Sequence, residues 1–224
     1  MSRALLHTLL TLCLSSWGLA QEKATRTCRI LFLGAPPDAA RTIFLHDGTQ
    51  AREVELPRMN LSDVYPLPTG PLTLRLLEKA PIDGAPIATG APQVTVDEAT
   101  KELYLLISVD PENKVTPLRM QVINANSDSF AKGQMMWYNL SSNRVGGQVG
   151  SQKLAMDPKS RVILDAPAKG NADYNVNLSY YIPGREALYP LCETKWHHDP
   201  KARGIYFIVN HPGSRTPRVM GFPD

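Results

Sequence analysis

The stretch C-R-I-L-F-L-G-A-P-P-D-A-A-R-T-I-F-L-H-D-G, residues 28–48, predicts the fold of this chain. Its first part alternates like a strand whose side chains point to two faces, and both faces are apolar. The prolines that follow have no amide hydrogen for a neighbouring strand, so a corner is expected there. A second apolar run then reaches Asp47-Gly48, which favours a hairpin turn. The stretch predicts a strand with both faces covered, a corner, a second strand and a hairpin.

A degenerate copy of this stretch begins at Leu118, L-R-M-Q-V-I-N-A-N-S-D-S-F-A-K-G-Q-M-M-W-Y-N-L-S-S. In this alignment Arg29 corresponds to Arg119, and Asp38 corresponds to Asp128. The copy predicts a tandem repeat of one β-rich unit.

Short β-rich runs separated by many of the 19 prolines and 15 glycines predict an all-β fold and not a helical one. The polar, proline-containing segment 110–113 precedes the copy and is the predicted boundary. We therefore expect two tandem antiparallel β-sandwich domains of the immunoglobulin-like type, residues 21–112 and 113–224. The second is longer and richer in aromatic residues. A single sandwich containing all the strands is the alternative.

Three segments are informative within this outline. The run E-L-Y-L-L-I-S-V, Glu102–Val109, is apolar throughout and predicts a strand buried on both faces. The three glycines between residues 145 and 150 indicate a turn, a bulge or a close approach of another group to the backbone. The tail, residues 211–224, is rich in proline, glycine and arginine and is expected to be loosely held.

Residues 1–20 have the pattern of a secretory signal peptide. Arg3 precedes a short apolar run, and small residues, Gly18 and Ala20, stand where a signal peptidase would cut. The run is too short to span a bilayer comfortably, and no later stretch is long and apolar enough. We expect cleavage after Ala20 and a mature chain that is periplasmic or secreted and not inserted in a membrane.

Export changes the interpretation of the three cysteines. Cys13 leaves with the leader, so Cys28 and Cys192 remain. Two thiols in an oxidising compartment predict one disulfide between them. Two buried free thiols that never meet are the alternative.

The charge pattern gives no sign of nucleic-acid or anionic-membrane binding. The chain has 24 basic and 21 acidic residues, and the basic ones are scattered without a run of four. No phosphate loop, dinucleotide fingerprint or G-x-S-x-G motif occurs, so no cofactor is expected and no catalytic residue is assigned.

The first half resembles a family of secreted bacterial immunoglobulin-like domains of unknown function. The resemblance is carried by Arg29, the corner A-P-P-D-A at residues 35–39, Asp47-Gly48 and the turn L-P-T-G at residues 67–70. It covers roughly a quarter of the chain, and Pro36 stands where the family pattern has serine. The resemblance implies a sandwich outside the cytoplasm and no catalytic residues.

One cluster of metal-capable side chains occurs in the sequence, Cys192, His197, His198 and Asp199. Zinc sites use such ligands, but neighbouring residues on a strand point to opposite faces, so His197 and His198 need a bend to share an ion. A metal-dependent or hydrolytic enzyme using Cys192, His197 and His198 is therefore one alternative function, and solvated loop histidines are the simpler interpretation.

Aromatic residues suggest a contact surface in the second half. Trp137, Tyr138 and Trp196 could contact a ligand such as a sugar ring. The alternative for the adjacent pair is that both rings pack in buried interfaces. We predict a non-enzymatic exported binding or structural module of the cell envelope, whose partner is an envelope protein or a glycan. A carbohydrate-binding module using the three rings is the second hypothesis.

Overall fold

The computed structural model describes residues 26–82, 86–182, 184–185, 187–210, 213 and 216–224. The predicted signal peptide, residues 1–20, lies outside these ranges, so export stays a prediction. Within the described ranges there is no helix that is long and apolar enough to cross a membrane.

The described residues form sixteen strands and no helix, which confirms the prediction of an all-β fold. Most strands lie where alternating apolar residues predict them, because a strand exposes every second side chain to a core. In chain order they are β1 (Arg26–Phe32), β2 (Thr42–His46), β3 (Ala51–Glu55), β4 (Tyr65–Leu67), β5 (Leu72–Leu77), β6 (Gln93–Val96), β7 (Glu102–Val109), β8 (Leu118–Asn124), β9 (Met135–Asn139), β10 (Arg144–Val149), β11 (Gln152–Met156), β12 (Ser160–Leu164), β13 (Ala172–Tyr181), β14 (Leu188–His198), β15 (Gly204–Asn210) and β16 (Pro217–Pro223).

These strands form four sheets of four. The first outer sheet has the order β3-β2-β5-β6, and the first inner sheet has the order β4-β1-β7-β8. The second inner sheet has the order β12-β9-β15-β16, and the second outer sheet has the order β11-β10-β13-β14. The first eight strands therefore form one pair of sheets, and the last eight form the other.

Three apolar layers separate the four stacked sheets. The first core lies between the first outer and first inner sheets and includes Ile30 and Leu45. The middle layer joins the two inner sheets and includes Leu31 and Phe207. The second core lies between the second inner and second outer sheets and includes Trp137. Strands β1 and β7 are consequently buried on both faces, as their sequences predict.

The same pairing pattern occurs twice, but not in the register that the sequence repeat predicts. Strand β1 pairs antiparallel with β4 and parallel with β7, and β9 pairs in the same way with β12 and β15. The segment aligned with β1 in the sequence is instead β8, which contains Arg119 and pairs with β7 in the first inner sheet. Strand β8 follows the predicted boundary at residues 112–113, yet it completes the first pair of sheets. The sequence alignment matched β8 to β1 because both strands have alternating apolar residues. That alternation does not indicate which strand is the pairing partner.

The sheets also differ from the purely antiparallel immunoglobulin-like pattern that the sequence suggested. The β1–β7 and β9–β15 pairs are parallel, so both inner sheets are mixed. In addition, the first, fourth, seventh and eighth strands share a sheet, whereas an immunoglobulin constant domain groups its strands A, B, E and D.

Of the three glycines at residues 145–150, Gly146 and Gly147 lie in strand β10, and Gly150 lies in the turn that follows it. Gly147 has φ 149°, and a Cβ on it would lie 2.0 Å from the carbonyl oxygen of Asn177 on β13. Of the three interpretations of this stretch, the close approach to another backbone is confirmed at Gly147 and the turn is confirmed at Gly150.

The described part of the tail contains an ordered strand, so the expectation of a loosely held tail is wrong. Strand β16 pairs with β15 along its whole length, and Phe222 is buried in the middle layer. Its prolines stand at the two ends of the strand, where a missing amide hydrogen costs little.

Candidate functional site

Two of the three aromatic residues predicted to contact a ligand are buried. Trp137 and Tyr138 are neighbours on β9, so Trp137 points into the second core and Tyr138 points into the middle layer. Their exposed fractions are 0% and 9%. Neither ring is exposed to solvent. The pair therefore agrees with the alternative interpretation, in which both rings pack in buried interfaces.

Trp196 is half-buried on β14 and belongs to an aromatic cluster that we define as Trp137, Tyr174, Trp196 and Tyr206. The Trp196 ring stacks on the rings of Trp137 and Tyr206, with centroids 5.9 and 5.2 Å away. Tyr174, its cross-strand partner on β13, meets it edge-on at 6.3 Å. Burial raises the pKa of Tyr174, and the neighbouring Tyr206 hydroxyl adds to the effect. The sequence analysis did not identify Tyr174 and Tyr206 as site residues. Each lies in a strand of alternating apolar residues, and that pattern indicated only that the rings pack in the core.

The residues of the metal hypothesis do not converge. His197 is exposed, with Nδ1 2.9 Å from Asp173 Oδ1, whereas His198 points to the opposite face and is buried. Cys192 precedes His198 on the same strand by roughly 20 Å, at about 3.3 Å per residue. No group of three or more metal-capable side chains converges anywhere in the described part of the chain. Burial raises the pKa of the Cys192 thiol, which also disfavours the thiolate that a nucleophile requires.

The predicted disulfide between Cys28 and Cys192 is not formed, and both cysteines are free. Cys28 points into the first core, and Cys192 packs against the second core. Two sheets and the middle layer lie between them, which corresponds to roughly 20 Å at about 10 Å per sheet spacing. A disulfide needs Cα atoms within about 7 Å. The prediction is wrong because the two strands lie in different layers of the stack.

A cavity of about 420 Å³, which we call the end cleft, opens at one end of the first core. The buried side chains of Phe32, Ile43 and Leu56 form its inner part, so a ligand there would touch the core itself. The cleft lies where the two sheets separate, at the end of β1 and the starts of β2 and β8. It is lined by Phe32, Pro36, Asp38, Ala39, Ala40, Thr42, Ile43, Leu56, Glu78, Val109, Thr116, Pro117 and Leu118.

The proline corner at residues 34–41 shapes one wall of the end cleft. Because Pro36 and Pro37 cannot donate backbone hydrogen bonds, the chain leaves the sheet after β1. The Ala39 amide donates to the Pro36 carbonyl oxygen at 3.2 Å. The Arg58 guanidinium donates to the carbonyl oxygens of Pro37, at 3.0 Å, and Ala39. The corner is therefore held in place and keeps the cleft open.

A second cavity of about 320 Å³, the side hollow, adjoins the end cleft through Glu78 and Thr116. Large apolar side chains surround both cavities and stay exposed, with exposed fractions of 79% for Ile82, 40% for Val115 and 39% for Val109. A concave apolar surface of this kind is typical of a binding site. The side hollow is lined by Leu77, Glu78, Lys79, Pro81, Ile82, Pro86, Ile87, Ala88, Val115 and Thr116.

The charges of the end cleft favour a basic or neutral occupant. Its two charged lining residues, Asp38 and Glu78, are both acidic, and Lys79 belongs to the side hollow. Prolines in the walls provide few hydrogen-bond donors, which suits an apolar group. The arrangement can therefore hold an apolar side chain and attract a cation at its rim.

The sequence analysis did not identify the end cleft, although the A-P-P-D-A corner lies in its wall. The available signal was the presence of the branched apolar residues Ile82 and Val115 in the loops after β5 and β7. That signal does not indicate which loops meet, because the two loops are joined to different strands.

The corner and turns that carry the family resemblance have structural roles. Arg29 donates to the Ser62 carbonyl oxygen at 2.9 Å, and Asp47 Oδ1 accepts hydrogen bonds from the amides of Thr49 and Gln50. No known protein family matches the sequence, and no curated protein is significantly similar to it. Membership of the secreted bacterial family stays a prediction.

Proposed function

We propose that this chain is a non-enzymatic binding module, exported to the cell envelope, that holds a partner protein through the end cleft. The observation that carries the proposal is the cleft itself, in which buried core residues are reachable from solvent and exposed apolar residues lie alongside. Apolar anchors that fill a pocket contribute most of the affinity in many protein interfaces. The expected partner segment has an apolar side chain for the cleft and a basic residue facing Asp38 and Glu78.

We also infer a tandem organisation of two sandwich units, with strands β1–β8 in the first and β9–β16 in the second. The repeated pairing order supports this division. With this division, the proposed boundary follows Asn124 and replaces the one expected at residues 112–113. Each unit resembles an immunoglobulin-like domain in having two packed sheets, with a different distribution of strands between them.

Export rests on the leader at residues 1–20. Intact mass of the protein recovered from outside the cytoplasm is expected to correspond to a chain that begins at Gln21. A chain that keeps its leader and stays in the cytoplasm would contradict this part of the proposal.

Site-specific photo-crosslinking in the producing cell tests the binding role. A photoreactive residue at Ala40, which is exposed and lines the end cleft, is expected to capture one partner. The same residue at Lys153, exposed on β11 in the second outer sheet, is the positional control. The captured protein is then purified and its affinity for the module is measured.

Two matched substitutions test whether the exposed apolar surface beside the end cleft contributes to partner binding. Val115→Glu places a charge beside the cleft, and Leu140→Glu places one at a site of nearly equal exposure, 41% against 40%, in the second half. Val115→Glu is expected to weaken binding about a hundredfold, the effect of losing an interface hot spot. Equal effects of the two substitutions, or equal capture from Ala40 and Lys153, would contradict the proposal.

A further inference from the structure

A smaller pocket, which we call the His198 pocket, lies at one end of the second core, in the half of the chain opposite to the end cleft. Its volume is about 110 Å³, and Tyr174, His198 and Tyr206 contribute to its lining. Tyr174 and His198 come from the second outer sheet, and Tyr206 comes from the second inner sheet. The Tyr174 ring and the His198 imidazole lie 6.5 Å apart at a steep angle, so they form two walls.

One wall of the pocket is formed by His198, whose ring has a buried nitrogen without a hydrogen-bond partner. His198 has an exposed fraction of only 5%, and its Nε2 has no hydrogen-bond partner among the described residues. In the part of the chain that the structure describes, three buried side-chain atoms have no hydrogen-bond partner. Besides His198 Nε2, one of them is Nε1 of Trp137, whose ring stacks on Tyr206 at 4.6 Å. Leaving such an atom unpaired is costly, so native proteins usually provide water or a ligand there.

The two tyrosine hydroxyls of the pocket lie close enough to interact with each other. The Tyr174 hydroxyl donates to the sulfur of Met135 at 3.8 Å, and sulfur is a poor acceptor. A hydroxyl group both donates and accepts, and a neutral imidazole has one nitrogen of each kind. Tyr174, Tyr206 and His198 therefore match a ligand whose own groups both donate and accept, as alcohols do.

The charged side chains around the pocket argue against an ionic ligand. Arg203 pairs with Glu102 and Asp224, and His197 pairs with Asp173. Asp199 is exposed and disfavours an anion. The guanidinium that lines the pocket is therefore already paired, and the polar side chains that line it besides these charged groups are those of Gln134, Tyr174, His198 and Tyr206.

We propose that this pocket binds the hydroxyl-bearing edge of a neutral saccharide through Tyr174, Tyr206 and His198. The site is independent of the end cleft. It also differs from the carbohydrate hypothesis of the sequence analysis, which used the rings of Trp137, Tyr138 and Trp196. The volume corresponds to three or four waters at about 30 Å³ each, so it admits one edge of a sugar ring while the rest projects into solvent. Stacking of the aromatic cluster holds the two tyrosines in position.

The test is a titration of the full exported chain with glucose, galactose and N-acetylglucosamine, with acetate and glucuronate as charged comparisons. The imidazole proton resonances of His198 report on the pocket directly, and calorimetry reports the affinity. We expect a saturable shift of the His198 resonances with at least one neutral sugar and a weaker response to the two anions.

Three variants identify the groups responsible. Tyr174→Phe and Tyr206→Phe each remove one hydroxyl and keep the ring, and each is expected to weaken sugar binding about tenfold. Tyr181→Phe, on the same strand as Tyr174 but exposed to solvent, is the matched control and is expected to have no effect. Thermal unfolding of each variant confirms that the fold is kept.

Two results would overturn the proposal. One is a His198 signal that no neutral sugar shifts, which would mean that water alone fills the pocket. The other is a sugar-induced shift that persists unchanged in both tyrosine variants. Because the end cleft lies in the other half of the chain, loss of partner binding there would leave this titration unaffected.

Discussion

At the scale of single residues, burial decides the chemistry of the two cysteines. Cys28 has no exposed surface in the first core, and burial raises the pKa of its thiol to about 12. Its thiolate is therefore almost absent at neutral pH, and the thiolate is the reactive form. An oxidising compartment by itself does not bring Cys28 and Cys192 together.

We expect both thiols to be free in the mature protein. In denaturant, iodoacetamide should label Cys28 and Cys192 without prior reduction, and mass spectrometry would count both groups. In the native state Cys192 should react slowly, and Cys28 should react only through unfolding. If the two cysteines are labelled only after reduction, they form a disulfide in the mature protein, and the expectation of free thiols is wrong.

Two glycines with unusual φ angles make a matched pair at the same scale. A Cβ at Gly147 would lie 2.0 Å from the Asn177 carbonyl oxygen, whereas Gly170, with φ 62°, has nothing within 4 Å of that position. We expect Gly147→Ala to lower the free energy of unfolding by more than about 3 kcal/mol, because β10 must move away from β13. Gly170→Ala should cost about 1 kcal/mol, from backbone strain alone. Urea unfolding measures both, and similar losses would contradict the close approach.

At the scale of elements, strand β16 shows how tertiary packing can override composition. The tail has the prolines and glycines of a loop, yet Gly221 lies beneath a ring, since a Cβ there would be 2.7 Å from Cε1 of Tyr206. The glycine that suggested flexibility thus makes room for Tyr206 between β15 and β16. Phe222, on the other face, adds its side chain to the middle layer.

Hydrogen exchange tests this element. Backbone amides of β16 that face β15 should exchange with solvent as slowly as the amides of β14 that face β13. The β13–β14 pair is the longest ladder in the described structure. The amide of Gly170, in an exposed turn, serves as the fast-exchanging reference. Exchange of β16 amides as fast as that of Gly170 would indicate a loose tail, as the sequence suggested.

At the scale of the whole molecule, a polar clamp supplements the middle layer between the two halves. Arg203, just before β15, donates to Asp224 Oδ2 at 2.7 Å and to Glu102 Oε2 at 2.8 Å. It also donates to the carbonyl oxygens of Ala125, at 2.7 Å, and Phe130, at 3.0 Å. Arg203 therefore connects the first inner sheet, the segment that joins the two halves, and the end of the described chain.

Asp224 makes this clamp sensitive to acid. Burial alone would raise the pKa of Asp224, but hydrogen bonds from Tyr104 and Arg203 and the charges of Arg203 and Arg29 lower it below the ordinary value of 3.8. A carboxyl group whose pKa is lower in the folded than in the unfolded state stabilises the fold fully above the unfolded value. That contribution is lost as pH falls below about 4 towards the folded value.

We expect Asp224→Asn to lower the free energy of unfolding at pH 7 by about 2 kcal/mol, the value of a buried hydrogen bond to a charged group. The difference from the unmodified protein should shrink as pH falls below about 4, because the unmodified side chain then also becomes uncharged. Asp157→Asn is the control, since its ion pair with Arg144 is exposed and should contribute less than about 1 kcal/mol. A difference that stays constant with pH, measured by urea unfolding, would contradict the role of Asp224.

Local patterns in the chain were enough to predict the all-β fold, the bounds of several strands and the burial of β1 and β7 on both faces. These properties depend on side chains within one strand and on the turn residues beside it. A short segment of sequence is therefore enough to predict them. The signal peptide and the family resemblance are predictions of the same local kind.

The tertiary structure alone decided which strands pair, that β8 shares a sheet with β7, that the cysteines stay apart and that the end cleft and the His198 pocket exist. Strand β8 has the alternation of β1, and only its contact with β7 assigns it to the first pair of sheets. Each of these properties joins residues far apart in the chain. Alternation tells which side of a strand is buried, but the partner that buries it is chosen by the packing of all four sheets.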